Sequence, residues 1–305
     1  MTTFLDTAAA DRFDTEVLQQ HWIPLARKDI DTAAVLRERL GVDFTAIREE
    51  GGAAGNFRYL PVVACYERGE TVEHETIVFA LGSEFLVTLQ PSEHFLPFDK
   101  AITMMCRRPA LAGSTYGVMY ALLWALNEAS ERVIQHAGDA LETMNSEIDA
   151  AACAADRRDH EMGEGGLGVT LLRMNAVEQV ISRTRKTQWQ LARATRHLRA
   201  GTPAGQGELD GPIDLLLTDI DGVGQYASLM HDKVRYLQRS VTALLDTTQR
   251  QSIRMLTLCG AVLLPPALVV VSVPELPWQH RFLVAVVIPL VAAVILLTCA
   301  KKKDR

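Results

Sequence analysis

At 305 residues, 48% of them hydrophobic and 22% charged, the chain has enough apolar mass for one large folded body or two smaller ones, and intrinsic disorder is excluded. Its 37 acidic against 31 basic residues leave a net charge of -6, which excludes a basic nucleic-acid binder. Those averages hide two runs, Met255 to Val273 and Phe282 to Ala300, that contain no Asp, Glu, Lys, Arg or His, so a simple soluble class is excluded as well.

The N-terminus, Met1 to Asp14, carries Asp6 and Asp11 and no apolar h-region, so it does not read as a cleavable signal peptide and the first 250 residues are expected in the cytoplasm. Helical periodicity covers Thr32 to Leu40. Three β-rich runs follow, Tyr59 to Tyr66, Thr76 to Leu81 and Phe85 to Leu89, bounded by Gly51-Gly52, Gly69 and Gly82-Ser83, and they predict a small sheet. Periodicity returns over Phe98 to Met105, so residues 1–115 read as a mixed α+β cytoplasmic domain.

Residues 116–211 read as antiparallel helices. Met119, Leu123, Leu126, Val133, Ala137, Leu141, Met144 and Ile148 recur at steps of three and four; Met162 to Gly168 then breaks the pattern with four glycines, and a second helix spans Val169 to Leu198. Gly163-Glu164-Gly165-Gly166-Leu167-Gly168 lacks the Lys-Ser/Thr ending of a phosphate loop and follows a helix instead of a strand, so it is taken as a linker.

Gly201 to Gly211 is a second linker, and Pro212 sits where a helix can begin, with Asp210 and Asp214 near the positive end of its dipole. From there Ile213, Leu216, Ile220, Val223, Ala227, Met230, Val234, Leu237, Val241 and Leu244 form a heptad seam, which predicts a stalk helix over residues 212–254 that runs on into the first apolar stretch. A coiled coil that merely dimerises the chain fits the same seam. Gly222 and Gly224 are its weak points, each costing on the order of 1 kcal/mol relative to Ala.

Each apolar run matches the ~30 Å hydrocarbon thickness of a bilayer at ~1.5 Å per residue, so residues 255–305 read as a transmembrane hairpin with a basic tail. Arg250, Arg254, Lys301, Lys302, Lys303 and Arg305 flank the pair against a lone Arg281 in the connection, which places both termini in the cytoplasm. Pro265, Pro266 and Pro289 predict kinks. Cys65, Cys106, Cys153, Cys259 and Cys299 are odd in number and hold no Cys-x-x-Cys pair; they read as small buried hydrophobes in a reducing compartment.

A soluble α/β domain, antiparallel helices, a very long helix entering the first span, a short loop and a second span ending in lysines together resemble the CorA/ZntB superfamily of divalent-cation transporters. The resemblance rests on Phe85-Leu86-Val87-Thr88-Leu89-Gln90, Tyr116-Gly117-Val118-Met119-Tyr120-Ala121-Leu122-Leu123, Met255-Leu256-Thr257 with Leu264-Pro265, Pro274-Glu275-Leu276 with Trp278, and Lys301-Lys302-Lys303. It implies a homopentamer in the bacterial inner membrane whose first spans line one axial pore, with transported or regulatory zinc or magnesium as the only metals and no cofactor. Two helices per chain cannot by themselves enclose a water-filled path, so assembly is required on physical grounds too. The family's Gly-Met-Asn signature is absent: Ala267 to Val273 runs straight into Pro274, and only Ser272 offers a hydroxyl near that point. The pattern is closer to the ZntB-like and CmaX-like branch, which implies zinc ahead of magnesium or cobalt.

The resemblance assigns the pore face to Arg250, Ile253, Thr257, Gly260, Leu264, Ala267 and Val271, a largely apolar lining suited to gating by dewetting, although Arg250 repeated about an axis would repel cations. Ser272, Glu275 and His280 stand at the outer mouth, where carboxylates concentrate cations and an imidazole suits zinc; the alternative for the last two is an ordinary wet loop. Asp99 and Asp219 match the places of regulatory metal ligands, with a solvated helix face as the alternative. An enzyme would need a nucleophile, base or cofactor loop, and His21, His74, His94, His136, His160, His197 and His231 show no ligand spacing. A non-conducting scaffold or sensor remains the other class.

Overall fold

A computed structural model describes residues 15–45, 51–92, 94–157, 164–202 and 208–272. The chain divides into two compact units, Met1–Ala151 with Val169–Gln238, and Ala152–Gly168 with Arg239–Arg305.

The first unit opens with α1 (Thr15–His21), β1 (Trp22–Ala26) and α2 (Ile30–Leu40). The Asp29 side chain accepts from the Thr32 N–H at 3.1 Å and so starts α2, while Gly41 at φ +71° ends it in the left-handed region. Then come β2 (Gly52–Ala54), β3 (Phe57–Arg68), β4 (Thr71–Leu81) and β5 (Leu86–Gln90), followed by α3 (Leu96–Arg107) and α4 (Pro109–Ala112). The strands form one sheet in the order β1-β5-β4-β3-β2, in which β1 runs parallel to β5 and the other pairs are antiparallel. The three sequence-predicted strands are β3, β4 and β5. Strands β1 and β2 escape periodicity because one begins at the end of a helix and the other is a three-residue Gly-Ala-Ala edge with every side chain exposed.

One sheet face carries Trp22, Leu60, Val62, Ile77, Phe79 and Leu86 into the main core with Phe95 and Phe98. Phe98 is fully buried, and its ring meets Trp22 at 5.8 Å, Phe95 at 5.0 Å and Phe79 at 6.4 Å between centroids. Trp22 Nε1 donates to Thr88 Oγ1 at 2.9 Å, which satisfies the buried indole. The other face packs Leu25, Val78, Ala80 and Val87 with Leu36 of α2.

Three long helices complete the described chain: α5 (Thr115–Arg157), α6 (Glu164–Gly201) and α7 (Asp210–Ser272). Helix α6 begins at Glu164, so Gly165, Gly166 and Gly168 are helical and the expected linker shrinks toward its first residue. Near its other end α6 protects the β3 edge that β2 leaves open. Gln190 Oε1 accepts from the Val63 N–H at 2.8 Å, and Pro61, on the same edge, has no N–H to satisfy. Of the described cysteines Cys65 is buried, with its thiol pushed up to about 11 chiefly by burial, whereas Cys153 is exposed and departs from the expected burial.

Among the described residues no helix is long and apolar enough to cross a membrane. Backbone helix continues to Ser272, but the side chains from Leu258 onward, and all of Val273 to Arg305 with the second apolar run, lie outside the described residues.

Candidate ion path and metal-binding groups

Helix α7 has two opposed faces. Ile213, Leu216, Ile220, Val223, Ala227, Met230, Val234 and Leu237 are all buried, so the seam is used inside the chain and not held open for a partner. Its neighbours are α5 and α6. Gly138 of α5 lies against Tyr226 and Met230, with Tyr226 Oη 2.5 Å and Met230 Sδ 3.5 Å from where a Cβ would stand, and Lys233 pairs with Glu142. On α6, Arg199 meets Asp214 at 2.6 Å and Gln238 donates to Glu178 at 3.0 Å.

Two residues along a helix is ~200° around it at ~100° each, so the positions two beyond the seam stand opposite. Leu215, Thr218, Gly222, Gln225, Leu229, Asp232 and Tyr236 are all exposed, with Leu215 at 62%, Leu229 at 60% and Tyr236 at 66%. Steps of three and four carry this register along the sequence through Arg239, Ala243, Asp246, Arg250, Ile253, Thr257, Gly260, Leu264, Ala267 and Val271. In the second unit Arg239, Ala243, Asp246, Ile253 and Thr257 are exposed. The sequence-assigned pore face and the open face of the stalk therefore share one heptad phase.

Thr257 Oγ1 donates to the Ile253 carbonyl at 2.7 Å, which engages the hydroxyl proton within the helix and leaves its oxygen an acceptor. Gly260, Leu264, Ala267, Val271 and Ser272 lie on the α7 backbone with undescribed side chains, as does Arg250. Glu275 and His280 lie outside the described residues.

Asp99 stands on the outer side of α3, positioned by the buried Phe98 beside it. Its carboxylate Oδ2 lies 3.4 Å from His94 Nε2, with Asp99 45% and His94 57% exposed. Partial burial pushes the Asp99 carboxyl above its usual range, and His94 acts in the opposite sense. The sequence pattern missed His94, because Asp99 and His94 belong to the loop and first turn at the start of α3 and share no helical spacing. Asp219 is exposed on α7, close enough to Tyr120 to act on its phenol, which burial already raises. No described contact joins Asp99 to Asp219. Among the described residues no three His, Cys, Asp or Glu side chains are placed to share a metal.

The family profile described as CorA-like Mg2+ transporter protein matches residues 4–302. The chain belongs to this family. Among solved structures, the CorA magnesium transporter of Methanocaldococcus jannaschii aligns with 93% of this chain and 90% of its own at 11% identity and a TM-score of 0.64. Full-length CmaX aligns with 93% of this chain and 88% of its own at 12% identity and a TM-score of 0.62. The ZntB cytoplasmic domain of Vibrio parahaemolyticus aligns with 75% of this chain and 88% of its own at 12% identity and a TM-score of 0.55. No curated protein matches the sequence.

The fold is thus CorA-like, an α+β body joined to long helices, and the protein is a CorA-family divalent-cation transporter. Members of the family are transporters and not enzymes. Its Ala267 to Val273 segment does not contain the sequence Gly-Met-Asn.

Proposed function

We propose that the chain conducts divalent metal cations, zinc first among them, through an axial pore of a homopentamer in the bacterial inner membrane, with both termini in the cytoplasm. The observation that carries this reading is the two-faced α7. Its apolar seam is occupied within the chain, and Leu215, Leu229 and Tyr236 are exposed on the opposite face, at the same heptad spacing in the sequence as Thr257. A helix with a covered apolar face and a second, exposed one at heptad spacing is built to meet copies of itself on that second face. Met255 to Val273 and Phe282 to Ala300 would then cross the bilayer as a hairpin, with the first spans around the axis.

In this assembly Arg250, Ile253, Thr257, Gly260, Leu264, Ala267 and Val271 line the path, Ser272, Glu275 and His280 form its outer mouth, and Asp99 and Asp219 of adjoining subunits hold a regulatory metal. Zinc is favoured over magnesium for two reasons. The missing Gly-Met-Asn removes an oxygen-rich filter suited to hydrated magnesium, and His94 beside Asp99 offers a nitrogen and oxygen donor pair of the kind zinc accepts. Magnesium or cobalt transport is the second reading, carried by the family description, and a non-conducting scaffold the third, carried by the lost signature.

Uptake of zinc, magnesium and cobalt by proteoliposomes, alongside mass measurement in detergent and nanodiscs, tests the proposal. It expects a pentamer with zinc uptake exceeding magnesium uptake. Equal or greater magnesium uptake removes the zinc assignment, absence of all three fluxes leaves the scaffold, and a dimer stable in both media removes the pore.

A further inference from the structure

A basic surface lies on α6, outside the proposed ion path. Between Glu178 and Glu208 the sequence contains no Asp or Glu, yet α6 carries Arg183, Arg185, Lys186, Arg193, Arg196 and Arg199 there, six cations in a chain of net charge -6. Arg199 is neutralised by Asp214. Among the described ion pairs none involves Arg58, Lys186, Arg193 or Arg196.

Lys186, Trp189, Arg193 and Arg196 follow one another at steps of three, four and three, which sets them along one face of the helix over ~15 Å. Trp189 is 60% exposed, and the Arg193 guanidinium lies over its ring at 5.9 Å. Arg58 joins the same group from β3, its Nη1 standing 2.7 Å from His197 Nδ1. A guanidinium has no acceptor, so at this contact His197 offers a lone pair and its ring is neutral there. Burial, then Arg58 and Arg193, hold the imidazole below its usual range, which places both guanidiniums in reach of one ring.

Cations gathered without a carboxylate repel one another, and the arrangement is stabilised by an anion that fits between them. Two further features narrow the anion. An exposed indole in the middle of the stripe offers a flat face on which a nucleobase can stack. The basic face is short and belongs to an acidic molecule, which favours a compact anion over a long nucleic-acid strand that would meet net repulsion beyond it. We propose that this face binds a nucleoside triphosphate, its phosphates held by Arg58, Arg193 and Arg196 beside His197 and its base stacked on Trp189.

The site is independent of the pore, so it stands or falls separately from the transport reading. Calorimetric titration of the full-length protein in detergent, with EDTA present to exclude cation effects, uses ATP and inorganic tripolyphosphate as probes. Wild type is expected to take one ATP per chain; Arg193→Gln, at a half-buried position, and Arg196→Gln, at an exposed one, are each expected to weaken ATP and tripolyphosphate about tenfold, the scale of one charge-assisted contact. Trp189→Ala is expected to weaken ATP by about tenfold and leave tripolyphosphate unchanged. ATP should also raise the melting temperature of wild type by more than that of Arg196→Gln at the same concentration. The proposal is overturned by flat titrations of wild type, by arginine variants that bind as wild type does, or by an equal loss of both probes in Trp189→Ala. It is equally overturned if an oligothymidylate binds more than tenfold tighter than ATP, or if Arg196→Gln dissociates the oligomer, which would make this face a subunit contact.

Discussion

Gly117 and Leu111 meet backbone to backbone: a Cβ on Gly117 would stand 2.3 Å from the Leu111 carbonyl oxygen and 2.9 Å from its Cα. Helix α4 crosses the first turn of α5 at this point, and Ser114 Oγ accepts from the Gly117 N–H at 3.0 Å. Alanine is normally the better helix former by ~1 kcal/mol, but main chain cannot swing aside as a side-chain tip can. Gly117→Ala should therefore destabilise the protein by about 1–3 kcal/mol in thermal or denaturant unfolding. Gly222, with nothing within 4 Å of its missing Cβ, is the control, and Gly222→Ala should stabilise by about 1 kcal/mol. Equal shifts in the two variants would mean that the crossing is looser than this contact requires.

Gln188 is 3% exposed on α6, and neither its amide nitrogen nor its amide oxygen has a hydrogen-bond partner among the described residues. Its Cβ lies 3.7 Å from where one on Gly224 would stand, so the amide sits in the packing between α6 and α7. A buried amide left unbonded costs about 1–3 kcal/mol. Gln188→Leu, similar in volume and without polar atoms, should raise the unfolding temperature, and a lowered one would show that the amide is satisfied by a bound water.

His74 and His197 are both held below the usual imidazole range, chiefly by burial, with Arg183 adding to the effect at the first and Arg58 and Arg193 at the second. The unfolded chain then binds more protons than the folded one at mildly acid pH, so stability is present above ~6.5, the ordinary value for histidine, and lost as pH falls below it. Melting temperature should drop as pH falls below about 6.5. The double variant His74→Gln with His197→Gln should flatten that slope, and an unchanged slope would assign it to other groups.

Legibility in the sequence followed how much of a residue's environment is local. The strands of β3, β4 and β5 and the seam of α7 could be read because each repeats its own period over several turns or pleats. The partner of the seam could not, since a heptad records that a helix buries a face and not whether α5 and α6 or a second copy covers it. The exposed face from Leu215 to Tyr236 shows no apolar period, as it carries Thr218, Gln225 and Asp232 beside its leucines, and the resemblance assigned only the positions from Arg250 to Val271. Arg58 beside His197 arises from tertiary approach across 139 positions of chain, and His94 reaches Asp99 through a loop-to-helix turn that has no regular spacing. The glycines before Val169 were misread as a linker because glycine weakens a helix by only about 1 kcal/mol, which α6 tolerates at its first turn.

Glu275, proposed for the outer mouth, should act by attraction and not by ligation. Five carboxylates would raise the local cation concentration through a field that salt screens within ~10 Å at 0.1 M. Glu275→Gln should keep assembly intact and slow uptake most at low ionic strength. A defect that persists at high salt and differs between zinc and cobalt would instead make Glu275 a ligand.

The measurement that bears most directly on the ion path is modification at Thr257, whose exposed hydroxyl shares the heptad phase of Leu229 and Tyr236. Thr257→Cys would be placed in a chain lacking Cys65, Cys106, Cys153, Cys259 and Cys299, reconstituted in proteoliposomes, and treated with a positively charged methanethiosulfonate during zinc uptake. A fixed cation on each subunit at the axis should abolish uptake, and reduction of the mixed disulfide should restore it. Complete labelling of Cys at this position with zinc uptake unchanged would contradict an axial path along this face of α7.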